Sequence, residues 1–121
     1  QPWTQSHEIE RRMDLIRAAG ARVVSYHMDF FIHEKDRLAA KELFLDKLII
    51  GLHPGAKDRF KQWPLEHFVT VGKKLREELG CLIIVSGTPS EKELVEMICR
   101  QIEGAQAVIE PLGTLAGILE R

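Results

Sequence analysis

The sequence predicts an α/β fold, a parallel Rossmann-like sheet with flanking helices, and three observations carry that expectation. From Leu48 onward, short apolar runs alternate with segments of helical period in the order strand, helix, strand, helix, strand, helix. The middle run, Cys81 to Val85 (CLIIV), is continuously apolar, as suits a parallel strand buried on both faces. Each run ends in a loop rich in Gly, Pro or Ser: His53-Pro54-Gly55, Ser86-Gly87-Thr88-Pro89 and Glu110-Pro111-Leu112-Gly113. Crossovers in such a sheet are right-handed, and ligands bind beyond the carboxyl ends of the strands. That edge would gather His53 to Lys61, Ser86 to Glu91 and Glu110 to Thr114 into one crevice.

Taken in order, His7 to Ala19 repeats Ile9, Met13 and Ile16 at helical spacing, with Ser6 as cap and Gly20 as terminator. Ala21 to Ser25 suits a short strand, and Tyr26 to Ile32 an extended connector that packs on something. His33 to Asp46 forms a second helix, with Leu38, Ala39, Ala40, Leu43 and Phe44 on one side and Glu34 and Asp36 in the first turn, where the helix dipole favours them. The strand at Leu48 to Leu52 follows. Pro64 suits the first position of the next helix, because its missing N–H would have no intrahelical partner there. Phe68, Val71, Leu75 and Leu79 mark the buried stripe of that helix until Gly80. After Val85, Thr88-Pro89-Ser90-Glu91 has the layout of a capping box, with Glu91 reaching back from the third helical position. Leu94, Met97 and Ile98 are the expected buried residues of that helix. Ala107 to Ile109 is a third strand, and Thr114 caps a last helix that buries Leu115, Ile118 and Leu119.

The 121 residues have the size of one ordinary domain, and 45% hydrophobic content supports a core. Lys and Arg number 17 against 18 Asp and Glu, and no basic stripe is interleaved with aromatics, which argues against nucleic acid as a partner. The apolar runs are too short to span a bilayer, and the N-terminal residues lack the apolar core of a signal peptide. A cytoplasmic location is therefore expected, with Cys81 and Cys99 as reduced thiols.

The loop after the first strand is the first candidate for an anionic ligand. Backbone N–H groups converge in a strand, Gly loop, helix arrangement, and Lys57, Arg59 and Lys61 add positive charge. Neither dinucleotide-binding nor P-loop spacing is present, so solvated basic residues in an ordinary connection remain the alternative. Lys61, read as having no competing acid in its loop, is either a phosphate partner or a solvated lysine. Glu91 belongs at least to its capping box. Trp63 and Phe68 are expected in the core, His53 in a packing or backbone hydrogen-bond role, and His67 at the surface. His27, Asp29 and His33 do not have the spacing of a metal site, and no metal or other cofactor is expected.

The ordered motifs HPGAKDRFKQWPLEHF, VSGTPSEKE and PLGTL resemble those of the ADP-heptose:lipopolysaccharide heptosyltransferases, two-domain glycosyltransferases of the GT-B type. The early HEIERRMDLIRAAGA resembles the segment leading out of their N-terminal domain. The resemblance covers nearly the whole chain. It implies that residues 1–46 are the end of the N-terminal domain and the interdomain segment, and residues 47–121 the first half of the nucleotide-sugar-binding domain. It further implies that Gly55, Ala56 and Lys61 hold the donor diphosphate, that Glu91 holds the ribose hydroxyls, and that Gly113 lies beside the adenine. Family members often have hydroxyl residues where this chain has Gly55 and Ala56, so backbone contacts are what carries over there. Neither the acceptor site with its expected base nor the aspartate-Ser/Thr-Gly-x-x-His motif is in the sequence. No catalytic residue is therefore assigned, and the chain reads as a piece of a longer protein.

The leading expectation is transfer of heptose from ADP-heptose to the lipopolysaccharide core, with the acceptor and any contact with the inner face of the membrane belonging to the longer protein. The competing expectation is a non-catalytic nucleotide- or phosphate-binding α/β module, and a third is a purely structural fragment. Fold alone does not separate them.

Overall fold

The computed structural model describes residues 7–43 and 48–120. Its contacts divide the chain into two compact units, one through Phe31 and one from Ile32 onward.

The first unit holds helix α1 (Glu8–Ala18). His7 caps it, its Nδ1 accepting from the Ile9 N–H at 3.2 Å while Glu10 accepts from the His7 N–H. The expected cap Ser6 lies outside the described residues. Gly20 follows the helix with φ +84°, the left-handed conformation that glycine adopts without penalty. Ile9 and Met13 are half-buried and Ile16 is exposed. Ala21 to Ser25 is not a strand, since among the described residues no neighbouring strand supplies the ladder its backbone would need. The connector is also less covered than expected: Met28 and Phe31 are at least 80% exposed. Arg17 closes this unit locally, donating to the Tyr26 hydroxyl and to Asp14.

In the second unit, strands β1 (Ile49–Leu52), β2 (Leu82–Ser86) and β3 (Gln106–Val108) form a parallel sheet in the order β1-β2-β3. Helices α3 (Leu65–Leu79) and α4 (Lys92–Gln101) cover one face, and α2 (Glu34–Leu43) and α5 (Leu112–Leu119) the other. Successive side chains of a strand point to opposite faces, so β2 feeds both cores. Ile83 and Val85 join Leu52, Val69, Val95, Ile98 and Ile102, while Ile84 joins Ala40, Val108 and Ile118. As the central strand, β2 is buried throughout its second half; β1 lies at an edge, which leaves Ile50 half-buried instead of buried.

The buried stripes differ in detail from the sequence expectation. On α3 the buried residues are Val69 and Gly72, with Leu65, Phe68 and Leu75 packed beside them, and Leu79 is exposed. Gly72 is there because Ile102 fills its space: a Cβ would lie 2.5 Å from Ile102 Cδ1. Met97 is exposed on α4, where Val95 is buried, and Leu38 and Leu119 are exposed on α2 and α5. The Leu43 side chain and Phe44, and the expected end of α2 at Asp46, lie outside the described residues.

Helices α2 and α5 approach closely through small residues. A Cβ on Gly117 would lie 3.1 Å from both Ala40 Cβ and the Asp36 carbonyl oxygen. Thr114 is correspondingly not a cap. Helix α5 starts right after Pro111, and Thr114 is buried inside it with its hydroxyl donating to Asp36 at 3.4 Å. Arg37 of α2 makes a two-pronged ion pair with Glu120 at 2.7 and 2.8 Å. Pro64 likewise precedes α3 instead of opening it, and Gly80 closes α3 at φ +63°.

Candidate functional site

The parallel register delivers the three expected loops to the carboxyl ends of β1, β2 and β3. Leu52 pairs with Val85, so the next residues, His53 and Ser86, fall side by side, and His53 Nδ1 lies 3.1 Å from Ser86 Oγ. The Gly87 N–H donates to the Val108 carbonyl at 3.2 Å, tying the second loop to the third strand.

After β1 the chain passes through buried Pro54 to half-buried Gly55 and Ala56. The Gln62 side-chain amide donates to the Ala56 carbonyl at 3.2 Å and thereby closes the loop on itself. Residues Arg59–Lys61 form one short turn of 3₁₀ helix whose Lys61 N–H donates to the Asp58 carbonyl at 2.9 Å. Lys61 does have a competing acid: its ammonium lies 2.9 Å from Asp58 Oδ2. That pair is solvent-exposed and of the kind worth at most about 1 kcal/mol, so an incoming phosphate can compete with it. Phe60, between them, is 86% exposed, with the Lys61 ammonium 5.7 Å from its ring centroid. Trp63 is half-exposed instead of core, because it stacks on the exposed His67 at 5.0 Å and meets Phe68 edge-on at 5.3 Å.

The loop after β2 is organised by Glu91. Its Oε2 accepts from the Thr88 backbone N–H at 2.8 Å and from the Thr88 hydroxyl at 2.7 Å, so the expected capping box is present. The box opens on a 3₁₀ turn, Pro89–Glu91, before α4 begins. The Thr88 N–H, then its hydroxyl, hold the Glu91 carboxyl below its ordinary value, and the nearby His53 adds to that effect. The other carboxylate oxygen, Oε1, lies where Gly55 has no side chain: a Cβ there would be 2.0 Å away. Gly55 is thus the residue that lets the first loop close onto Glu91 of the second.

Of the five residues singled out, the fold brings Gly55 and Glu91 into contact and keeps Ala56 and Lys61 in the same loop as Gly55. Gly113 lies in the first turn of α5 against Asp36, where a Cβ would meet Oδ2 at 2.5 Å. No hydrogen bond or ion pair joins Lys61 or Gly113 to Glu91 among the described residues. A groove of about 580 Å³ lies elsewhere, between the C-terminal ends of α3 and α4, and is lined by Lys73, Arg76, Glu77, Gln101, Ile102 and Glu103. The parts missed in the sequence are Asp58, Asp36 and the His53–Ser86 bond. Strand register was the signal for the last, and Asp58 stands in plain view three residues before Lys61.

Among the described residues no group of three His, Cys, Asp or Glu side chains could hold a metal ion, and no helix is long and apolar enough to cross a membrane. Cys81 is buried and Cys99 partly so, and both are free; burial raises the Cys99 thiol above its ordinary value.

Solved structures with the same fold include a glycosyl transferase family 9 protein from Veillonella parvula (TM-score 0.80, 24% identity, 96% of this chain and 36% of that one). They also include two Escherichia coli proteins. One is an ADP-heptose lipopolysaccharide heptosyltransferase II (TM-score 0.66, 18% identity, 84% of this chain and 34% of that one). The other is the heptosyltransferase WaaC, solved with ADP-2-deoxy-2-fluoro heptose (TM-score 0.59, 20% identity, 96% of this chain and 37% of that one). The chain therefore spans about a third of the length of these relatives. No curated protein sequence matches it significantly. The family description "Glycosyltransferase family 9 (heptosyltransferase)" matches residues 1–118, and on that match the chain belongs to glycosyltransferase family 9.

Proposed function

We propose that the protein containing this segment transfers heptose from ADP-heptose to the lipopolysaccharide inner core, with the loops after β1 and β2 forming part of its ADP site. The observation that carries this reading is the apposition of Gly55 and the Glu91 carboxylate at the carboxyl edge of a parallel sheet. Glu91 has one oxygen committed to Thr88 and one facing the first loop, which suits it to accept a hydrogen bond from a ribose hydroxyl while keeping its cap. The backbone N–H groups of Gly55 and Ala56 would meet the diphosphate, with Lys61 exchanging its Asp58 partner for a phosphate oxygen. Lys61 would then stabilise the charge that develops on the departing ADP. Gly113 would lie beside the adenine. The two Escherichia coli relatives, one bearing ADP-heptose in its name and one solved with an ADP-heptose analogue, support the choice of donor.

In this reading residues 47–121 are the first half of the donor domain, and residues 1–46 lead into it from the domain that holds the acceptor. The transferase works in the cytoplasm and meets the acceptor at the inner face of the membrane. No residue here is placed as a base for the acceptor hydroxyl, so this segment by itself transfers no sugar. The test is acceptor-dependent ADP release by the full-length protein, given ADP-heptose and heptose-deficient lipopolysaccharide. Release that requires both substrates is expected. ADP binding without such release would favour a non-catalytic nucleotide-binding module.

A further inference from the structure

We propose that His53, held by Ser86, is a phosphate-contacting residue of this site, its Nε2–H donating to an oxygen of the donor diphosphate; the inference rests on the donor-site reading above. The register of the sheet creates the pair, because β1 and β2 end together and His53 and Ser86 are the next residues in line. Ser86 is buried, and its side-chain hydroxyl bonds the imidazole at Nδ1 across 3.1 Å. His53 itself is exposed, and its Nε2 makes no hydrogen bond among the described residues. A hydroxyl donating to Nδ1 leaves the proton of a neutral imidazole on Nε2, and a protonated imidazole carries one there as well. With the Ser86 hydroxyl as the donor to Nδ1, the outward nitrogen is a donor two residues before Gly55, in the loop that closes onto the Glu91 carboxylate. The same loop carries Lys57, Arg59 and Lys61 against the single acid Asp58, an environment suited to an anion and not to a second carboxylate. An imidazole fixed at one nitrogen and free at the other presents a directed donor with little orientational freedom left to lose, which is what a phosphate contact requires.

Two substitutions separate contact from scaffolding. His53→Asn places an amide near the position of Nδ1, so it keeps a partner for Ser86 and removes only the outward donor. His53→Gln reaches the position of Nε2 and loses the tie to Ser86. In the full-length protein, ADP, inorganic pyrophosphate and adenosine are titrated while the ring ¹⁵N signals of His53 are followed. The expected result is that ADP and pyrophosphate move the Nε2 signal and adenosine does not. His53→Asn should then lower affinity for ADP and pyrophosphate by about tenfold, the scale of one charge-assisted hydrogen bond. It should leave adenosine affinity and Tm unchanged, and His53→Gln should retain part of the ADP affinity. Normal ADP binding with an unmoved His53 signal and an unaffected His53→Asn variant would overturn this inference and leave the donor site standing. Equal losses for ADP and adenosine, or a lowered Tm for His53→Asn, would make His53 a structural tie only. Failure of the wild-type protein to bind ADP or pyrophosphate would overturn the inference together with the donor reading.

Discussion

The loops after β1 and β2 leave neighbouring strands at the same edge, yet they are held in different ways. The second is fixed from within by a charged cap: Glu91 grips both the backbone and the hydroxyl of Thr88, and α4 continues directly from that turn. The first has a neutral side-chain tie, Gln62 to the Ala56 carbonyl, and an exposed ion pair, Lys61 with Asp58, at its tip. The difference separates a preorganised acceptor of hydrogen bonds from a cation already paired with a carboxylate. One loop is ordered by a charged cap and the other carries an exposed cation, and the Glu91 carboxylate reaches the first loop only because Gly55 has no side chain.

The largest effect expected on this comparison is at the charged loop. Lys61→Ala in the full-length protein should weaken ADP binding by roughly 1.5–3 kcal/mol, the scale of a charge-assisted hydrogen bond, with folding stability little changed. Calorimetry giving both proteins the same affinity would remove Lys61 from the site. Next is the contact between loops. Gly55→Ala places a methyl group 2.0 Å from the present position of Glu91 Oε1, so the carboxylate has to move. ADP affinity should fall about tenfold, or 1.4 kcal/mol, and the effect should not add to that of Glu91→Ala, since one contact is lost in both. Additive losses would mean that the two residues act separately.

A smaller effect tests the cap itself. The folded-state pKa of Glu91 is lowered from its ordinary 4.5, so its charge stabilises the fold above that value. This contribution declines as pH falls below 4.5 and is lost through the lower folded value. Glu91→Gln should therefore cost up to about 1 kcal/mol at pH 7, and the two proteins should converge in denaturant melts as pH falls through the lowered folded value. A difference that persists at low pH would point to packing in place of the cap. The smallest effect is expected at Asp58. Asp58→Asn frees Lys61 from its partner and should tighten ADP binding by less than about 1 kcal/mol, whereas weaker binding would give Asp58 a role in the site.

Much of the fold was legible because strands and helices here differ plainly in period. CLIIV allows no amphipathic reading, and Gly80 and the Thr88-to-Glu91 box punctuate the helices on either side of β2. Which apolar residues face inward was less legible. On α3 the expected Phe68 and Leu75 do pack against the core, but the fully buried positions are Val69 and Gly72 and Leu79 is exposed; the deciding contact involves Gly72, a residue with no side chain to count. The same holds for α5, where Gly113 and Gly117 let α2 approach and Thr114 turns to Asp36. Ala21 to Ser25 has strand-like residues but, among the described residues, no neighbouring strand, a tertiary condition that propensity does not contain. At the candidate site the sequence indicated loops and residue types. Partner choices were hidden because they depend on register, as with His53 and Ser86, or on which exposed charge reaches another, as with Lys61 and Asp58.

The claim that the two loops form one ADP site is tested most directly by amide NMR of the full-length protein titrated with ADP. The expected result is that the largest shifts fall on Gly55, Ala56, Lys61, Gly87, Thr88 and Glu91, with smaller ones at Gly113. Shifts centred instead on the groove lined by Lys73, Arg76 and Glu103, with Gly55 and Glu91 unmoved, would contradict it.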